Sequence, residues 1–211
     1  MKKIFYFLAT VAALTAFKES TTSQANIYQT RYIQDGVEYE YYINYPDALD
    51  YSVVEKYAAF NIANDKKSIV ALMDSLIDAK TRIGYWCNLY YDAMRETLPH
   101  DSILPRLLKL QDSEPFNSGA YFMIGDAYDQ IGDTAKAVEY FHNGLDIEPD
   151  NSYLWYSMGT AMLQHGDTVS AVDSFTKSLE LAKSQNLESQ IFLNQSMLEK
   201  LKNSSRHKDN R

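Results

Sequence analysis

Histidine and cysteine, the side chains that most often carry chemistry in proteins, are few and scattered in this chain. Among 211 residues there is a single cysteine, Cys87, and the four histidines are His100, His142, His165 and His207. Their spacings match no set of metal ligands, and no Gly-rich phosphate loop, nucleophile elbow or HExxH pattern occurs. The sequence therefore predicts no metal, no other cofactor and no catalytic residue. Cys87 is predicted to be a small buried hydrophobe, because unpaired cysteine is among the most buried residue types.

Carboxylates are plentiful, with 28 Asp and Glu against 20 Lys and Arg. General acid–base catalysis needs two of them in one cleft, and the sequence places no pair together. The interpretation is a protein that is not an enzyme. The alternative is a hydrolase-like enzyme with its site in residues 26–117, which would need a cleft there with converging polar groups.

The first 25 residues have the pattern of a secretory signal peptide. Lys2 and Lys3 precede an apolar run over residues 4–17, and Ser23-Gln24-Ala25 ends in a small residue. This arrangement predicts cleavage after Ala25, with Ala16 as the alternative, and export to the periplasm or cell envelope of a bacterium. A retained membrane anchor is the other interpretation, but 14 apolar-rich positions fall short of the roughly 20 needed to span a bilayer.

Charge argues against a nucleic-acid partner. Removal of residues 1–25 takes the formal net charge from −8 to −10. An acidic body repels phosphate backbones, and no basic stripe with interleaved aromatic residues offsets this. The basic end of the chain, residues 203–211, is predicted to be a disordered, solvated tail.

Two stretches of the chain repeat one pattern at an offset of 34 residues: IGDAYDQIGDTAKAVEYF, Ile124 to Phe141, and MGTAMLQHGDTVSAVDSF, Met158 to Phe175. In each stretch, apolar residues spaced by three and four predict a helix, a glycine ends it, and an aspartate caps a second helix. The glycines are Gly132 and Gly166, and the aspartates are Asp133 and Asp167. Each stretch therefore predicts two antiparallel helices.

Small residues within these helices predict close packing. Gly125 and Gly159 lie on the first helix of each pair, and Ala137 and Ala171 on the second. Glycine inside a helix costs roughly 0.5–1 kcal/mol, so close approach of the partner helix must offset that cost.

The order Tyr/Trp, Ile/Met-Gly, Tyr/Met, Gly-Asp, Ala, Phe, Pro on this period resembles the tetratricopeptide repeat (TPR). The resemblance covers residues 118–151 and 152–185, and it departs from the pattern at Ser178 and Lys183. It implies a mostly α fold: a right-handed TPR-type α-solenoid of helix hairpins, closed by a capping helix over residues 186–202 whose apolar residues are Ile191, Leu198 and Leu201.

Two repeats are too few to bury a continuous core, so residues 47–117 are predicted to hold further helix pairs. Tyr57 and Tyr91 stand where a small residue is expected, so these pairs are degenerate TPR-like units whose helices are splayed. Plain helical hairpins in the same order are the alternative.

Residues 26–46 change to a period of two and predict a Tyr-rich β-hairpin. Asp35-Gly36 predicts a type I′ turn that pairs Tyr32 with Tyr39, Arg31 with Glu40, Thr30 with Tyr41 and Tyr28 with Ile43. A lone hairpin is marginal in water, so this one is predicted to lie on the N-terminal helices. The alternative is that its edge recruits a partner strand.

The resemblance also implies where a partner binds. TPR proteins commonly hold an extended peptide or a helix in the groove lined by the first helix of each unit. The groove positions carried over are Asn88, Asp92, Arg95, Phe122, Asp126, Asp129, Tyr153, Tyr156, Thr160 and Gln164.

We expect these residues to pair aromatic anchors with carboxylates and to suit a neutral or basic segment of a protein or peptide. The alternative is that Asp126 and Asp129 form a solvated face while Phe122 and Tyr156 pack against neighbours. The predicted function is an exported TPR adaptor within a cell-envelope complex, with no membrane span after signal cleavage.

Overall fold

The structure is a computed structural model that describes residues 26–34, 37–46, 48–84 and 86–209. Two antiparallel strands come first, and helices follow. The strands are β1 Asn26–Gln34 and β2 Val37–Tyr45; the helices are α1 Tyr51–Ile62, α2 Lys66–Asp78, α3 Trp86–Thr97, α4 Ile103–Ser113, α5 Ser118–Gln130, α6 Thr134–Ile147, α7 Ser152–Gln164, α8 Thr168–Ser184 and α9 Glu188–Asp209. A 3-10 turn, His100–Ser102, precedes α4. The chain divides after Pro115 into two compact units, unit 1 and unit 2.

The hairpin has the register that the turn signal predicts. β1 and β2 pair Tyr28 with Ile43, Thr30 with Tyr41, Arg31 with Glu40 and Tyr32 with Tyr39. Its aromatic face lies on α1, where the rings of Tyr28 and Tyr51 are 5.2 Å apart and Asn61 donates to the Tyr41 hydroxyl at 3.1 Å. The predicted packing on the N-terminal helices is confirmed. The turn residues 35 and 36, like the predicted signal peptide, lie outside the described residues.

Buried aromatic side chains form the core of unit 1. Tyr57 and Trp86 are 3% and 0% exposed, and their rings lie 4.5 Å apart. The Trp86 indole N–H also donates to the Asn44 carbonyl of β2 at 2.9 Å, which ties α3 to the hairpin. Cys87 is buried, as predicted.

Bulky residues stand at the positions of the expected glycines in unit 1, where Tyr57 and Tyr91 are both buried. α3 and α4 contact each other less than α5 with α6 or α7 with α8, which pack along their lengths. That the helix pairs of unit 1 are splayed TPR-like units stays a prediction.

Unit 2 contains the two helix pairs of the repeat. Gly132 and Gly166 have φ of +82° and +88° at the helix ends, where a side chain would be strained. Asp133 accepts a hydrogen bond from the Lys136 backbone at 3.2 Å, and Asp167 accepts one from Ser170 at 3.1 Å. The stop and cap signals therefore act as the sequence predicts.

The last helix corrects one prediction. α9 runs from Glu188 to Asp209, so the disordered tail predicted for residues 203–211 is wrong for 203–209. No glycine or proline lies between Glu188 and Arg211 to end the helix. Charge and polarity alone were a poor signal for disorder, because a solvated helix has the same composition.

Candidate partner-binding surface

The first helix of each repeat, α5 and α7, is held by equivalent caps and contacts. Asn117 accepts from the Gly119 backbone at 3.0 Å, and Asn151 accepts from Tyr153 at 3.0 Å. A Cβ placed on Gly125 would lie 2.5 Å from Cε1 of Phe141, and one on Gly159 would lie 3.0 Å from Cε1 of Phe175. The predicted close approach is present, and the group that needs the space is the phenylalanine ring of the second helix.

A third close contact, at Gly144 on α6, was not predicted. A Cβ there would lie 3.0 Å from the Leu154 side chain and 3.3 Å from Cβ of Tyr121. Gly144 therefore lets α7 of the second repeat approach the first pair. The TPR pattern has a small residue at this position, so the sequence pattern could have predicted this contact.

The predicted aromatic anchors are half-buried. The Phe122 ring lies 6.2 Å from Phe141, and the Tyr156 ring lies 5.4 Å from Phe175. Each anchor therefore packs against the second helix of its own repeat, and part of its side chain remains accessible to solvent. Tyr153, one turn earlier on α7, is also half-buried.

The structure brings two of the predicted residues together. Gln164 on α7 donates to Oδ2 of Asp129 on α5 at 3.2 Å. One turn earlier on α5, Asp126 accepts from Gln130 at 2.7 Å. The two carboxylates thus lie on one face of α5, and Asp129 is linked to α7.

Asp129 has an unsatisfied oxygen. Its Oδ1 is buried and receives no hydrogen bond from the described part of the chain. Burial, and then the nearby charge of Asp126, raises the pKa of Asp129. A positive charge close to this carboxylate would favour its ionised form and so oppose the rise in pKa.

Thr160 on α7 is half-buried and donates to the Tyr156 carbonyl at 3.1 Å. The other three predicted positions lie in unit 1. Asp92 is exposed on α3, and partial desolvation raises the pKa of its carboxyl. Arg95 places its guanidinium 5.6 Å from the Tyr91 ring centre, and Asn88 is half-buried. These three residues form a separate set on α3.

The predicted apolar residues of the last helix, Ile191, Leu198 and Leu201, are half-buried. Within residues 188–203, where side-chain burial is described, the fully covered residues of α9 are Gln190 and Asn194. Asn194 donates to the Ser178 hydroxyl at 2.9 Å, and Ser178 donates to the Ser152 carbonyl at 2.7 Å. A buried polar chain thus joins α9 to the second repeat, and an apolar-periodicity rule could not detect it.

Unit 1 contains a cleft of about 340 Å³ between α2, α3 and α4. Asp74 accepts hydrogen bonds from the Tyr90 hydroxyl and, at 3.2 Å, from Arg106; Lys109 pairs with Asp78 at 3.2 Å. Polar groups converge in this cleft, and each of its four charged side chains forms an ion pair with another of them.

Among the residues that the structure describes, no group of three or more His, Cys, Asp or Glu side chains is placed to hold a metal ion. No helix in that part of the chain has the length and apolar content to cross a bilayer.

The tetratricopeptide repeat profile matches residues 118–151, the first repeat of unit 2. A comparison with curated protein sequences gives no match.

Solved structures resemble the chain at low sequence identity. One is MamA from Desulfovibrio magneticus RS-1, with 20% identity, a TM-score of 0.54, and coverage of 66% of this chain and 78% of MamA. Another is the type III secretion translocator chaperone SycD of Yersinia enterocolitica, with 13% identity, a TM-score of 0.54, and coverage of 62% and 95%. SycD solved with a peptide of the translocator YopD gives 16% identity, a TM-score of 0.50, and coverage of 55% and 88%.

These likenesses concern the fold. With the helix pairs described above, they confirm a mostly α chain of TPR-type helix hairpins behind an N-terminal β-hairpin.

Proposed function

We propose that this chain is an exported scaffold that holds a neutral or basic segment of a partner protein on the face formed by α5 and α7. The observation that carries the proposal is the joint placement on these helices of half-buried aromatic rings, Phe122 and Tyr156, and of an unsatisfied carboxylate, Asp129. Aromatic anchors supply most interface energy, and charges set orientation. The solved complex of SycD with a YopD peptide supports a peptide-binding role for this fold.

The cellular setting is part of the proposal. The signal-peptide pattern of residues 1–25 supports export to the periplasm or cell envelope of a bacterium. An acidic net charge supports a protein partner over a nucleic acid. N-terminal sequencing of the protein from fractionated cells tests this, and a cytoplasmic product beginning at Met1 would contradict export.

Charge reversal tests the binding face. Replacing Asp126 and Asp129 by lysine should abolish capture of a basic partner, because the face then repels the charge it is proposed to attract. The measurement is crosslinking followed by pull-down from envelope extracts. Thermal melting beside it should show that the variant still folds, with a lower melting temperature because both residues are half-buried and Asp129 loses its bond from Gln164.

The matched control reverses Asp146 and Asp173, exposed carboxylates on the second helices α6 and α8. It makes the same change in net charge and should leave capture intact. Equal capture by both double variants would remove the proposal, since a solvated α5 face predicts that result.

A second candidate function is enzymatic and rests on the cleft of unit 1. The convergence of Asp74, Tyr90 and Arg106 meets the condition set for a site in residues 26–117. If the cleft is catalytic, the full chain should hydrolyse chromogenic ester or peptide substrates, and Arg106→Met should lose that turnover. Absence of turnover in the unsubstituted protein would exclude hydrolysis of those substrates and favour the scaffold.

A further inference from the structure

The last helix, α9, packs against unit 2 as a first helix of a repeat would. It lies on α8 and also contacts α7, as α7 lies on α6 and contacts α5. The three helices bury equivalent positions: Ala120, Leu154 and Gln190 in one row, and Ile124, Met158 and Asn194 in the next. The offset from α7 to α9 is 36 residues because α8, with 17 residues, is longer than α6, with 14.

This alignment gives Phe192 the position of Phe122 and Tyr156. The rings of Phe122 and Tyr156 are half-covered by the phenylalanine of the following helix. No described helix follows α9, and the Phe192 side chain is 71% exposed. Large aromatic side chains bury much area on binding, so Phe192 has more to contribute to an interface than either of the other two rings.

We propose that Phe122, Tyr156 and Phe192 form one row of anchors, so that α9 is a third binding helix and not only a cap. The occupant is a segment of a partner polypeptide in the polyproline II conformation with apolar residues at every third position. Packed helices lie about 8–10 Å apart, and residues three apart in polyproline II point the same way and lie about 9 Å apart, so successive apolar side chains meet successive helices.

Charge sets the direction of the segment. At the positions of Asp126 and Asp129 on α5, α7 has Thr160 and Leu163, and α9 has Ser196 and Glu199. These positions therefore carry two carboxylates on α5, none on α7 and one on α9. A lysine or arginine is therefore expected at the end of the segment that meets α5, with the last apolar residue on Phe192. This inference rests on the proposed function, because it names the segment that the same face would bind.

The test uses the full chain and a fluorescein-labelled peptide, Lys-Arg-Leu-Ser-Thr-Leu-Ser-Thr-Leu, with binding followed by fluorescence anisotropy. Phe192→Ala should weaken binding about tenfold, which corresponds to the loss of an aromatic anchor at the end of the row. The matched control is Phe116→Ala, which removes a side chain that is 82% exposed but precedes α5 and lies outside the row. Circular dichroism of both variants should match that of the unsubstituted protein.

The outcomes separate this inference from the proposed function. Equal affinities of Phe192→Ala and Phe116→Ala, with binding lost on charge reversal at Asp126 and Asp129, would overturn the role of α9 and leave the groove in place. Binding of the peptide by neither the unsubstituted protein nor any variant would overturn the peptide class proposed here, while pull-down of the natural partner still tests the scaffold. A dimer in sedimentation that Phe192→Ala converts to monomer would show that the occupant is a second copy of the chain.

Discussion

Gly125→Val is expected to lower the free energy of unfolding of unit 2 by about 3 kcal/mol, at the upper end of the usual cost of overpacking. A Cβ alone would lie 2.5 Å from Cε1 and 2.6 Å from Cδ1 of Phe141. Phe141 is 1% exposed, so its ring has no free space to move into. The helix propensity that valine gains over glycine, a few tenths of a kcal/mol, is too small to compensate.

Urea unfolding followed by circular dichroism measures this effect, and we expect the midpoint to fall by about 1–3 M at an m-value of about 1–3 kcal/mol per M. Ala135→Val is the matched control, because Ala135 is exposed on α6. In the double variant Gly125→Val with Phe141→Ala, the valine fills part of the space that the phenylalanine ring leaves. The double variant should therefore be destabilised by about 1 kcal/mol or more less than the sum of the two single variants. Strict additivity, or equal midpoints for Gly125→Val and Ala135→Val, would show that the two side chains do not compete for space.

Above pH 10, unit 1 is expected to lose stability steeply. Burial raises the pKa of Tyr41 to about 12, and burial raises the pKa of Tyr57 and Tyr90 further. In the unfolded chain these phenols ionise near pH 10, so above that value the unfolded state binds fewer protons than the folded state. The free energy of unfolding then falls with pH by about 1.4 kcal/mol per unit for each of these tyrosines, until the folded pKa is reached.

The fluorescence of Trp86, which lies in the core of unit 1, reports this transition in a Trp155→Phe background. Urea midpoints measured between pH 9 and 11.5 should be level below pH 10 and fall above it. Tyr57→Phe removes one of the three phenols and should reduce the slope by about a third. A slope that is unchanged in Tyr57→Phe would show that this phenol does not remain protonated in the folded state.

Local rules made much of the fold predictable. The hairpin register was predictable from Asp35-Gly36, because this sequence signal fixes which residues of β1 and β2 face each other. The helix pairs of unit 2 follow from a period in which Gly132 and Gly166 end one helix and Asp133 and Asp167 begin the next. Both signals lie within a few residues of the structure they determine.

The candidate site is formed by residues that are far apart in the sequence, so its contacts were harder to predict than the helices and strands. Asp129 and Gln164 are 35 positions apart, and only the packing of α7 on α5 shows that they share a hydrogen bond. Phe192 was missed because α8 is longer than α6, which moves α9 off the 34-residue period. The 34-residue period identifies equivalent positions only where the intervening helices have equal lengths.

The hydrogen-bonded chain from Asn194 through Ser178 to Ser152 determines where α9 lies on the second repeat. Apolar contacts tolerate a helix that slides along its neighbour, whereas a directional amide-to-hydroxyl bond accepts one register. The two bonds therefore fix α9 at one position along α8, and with it the position of Phe192.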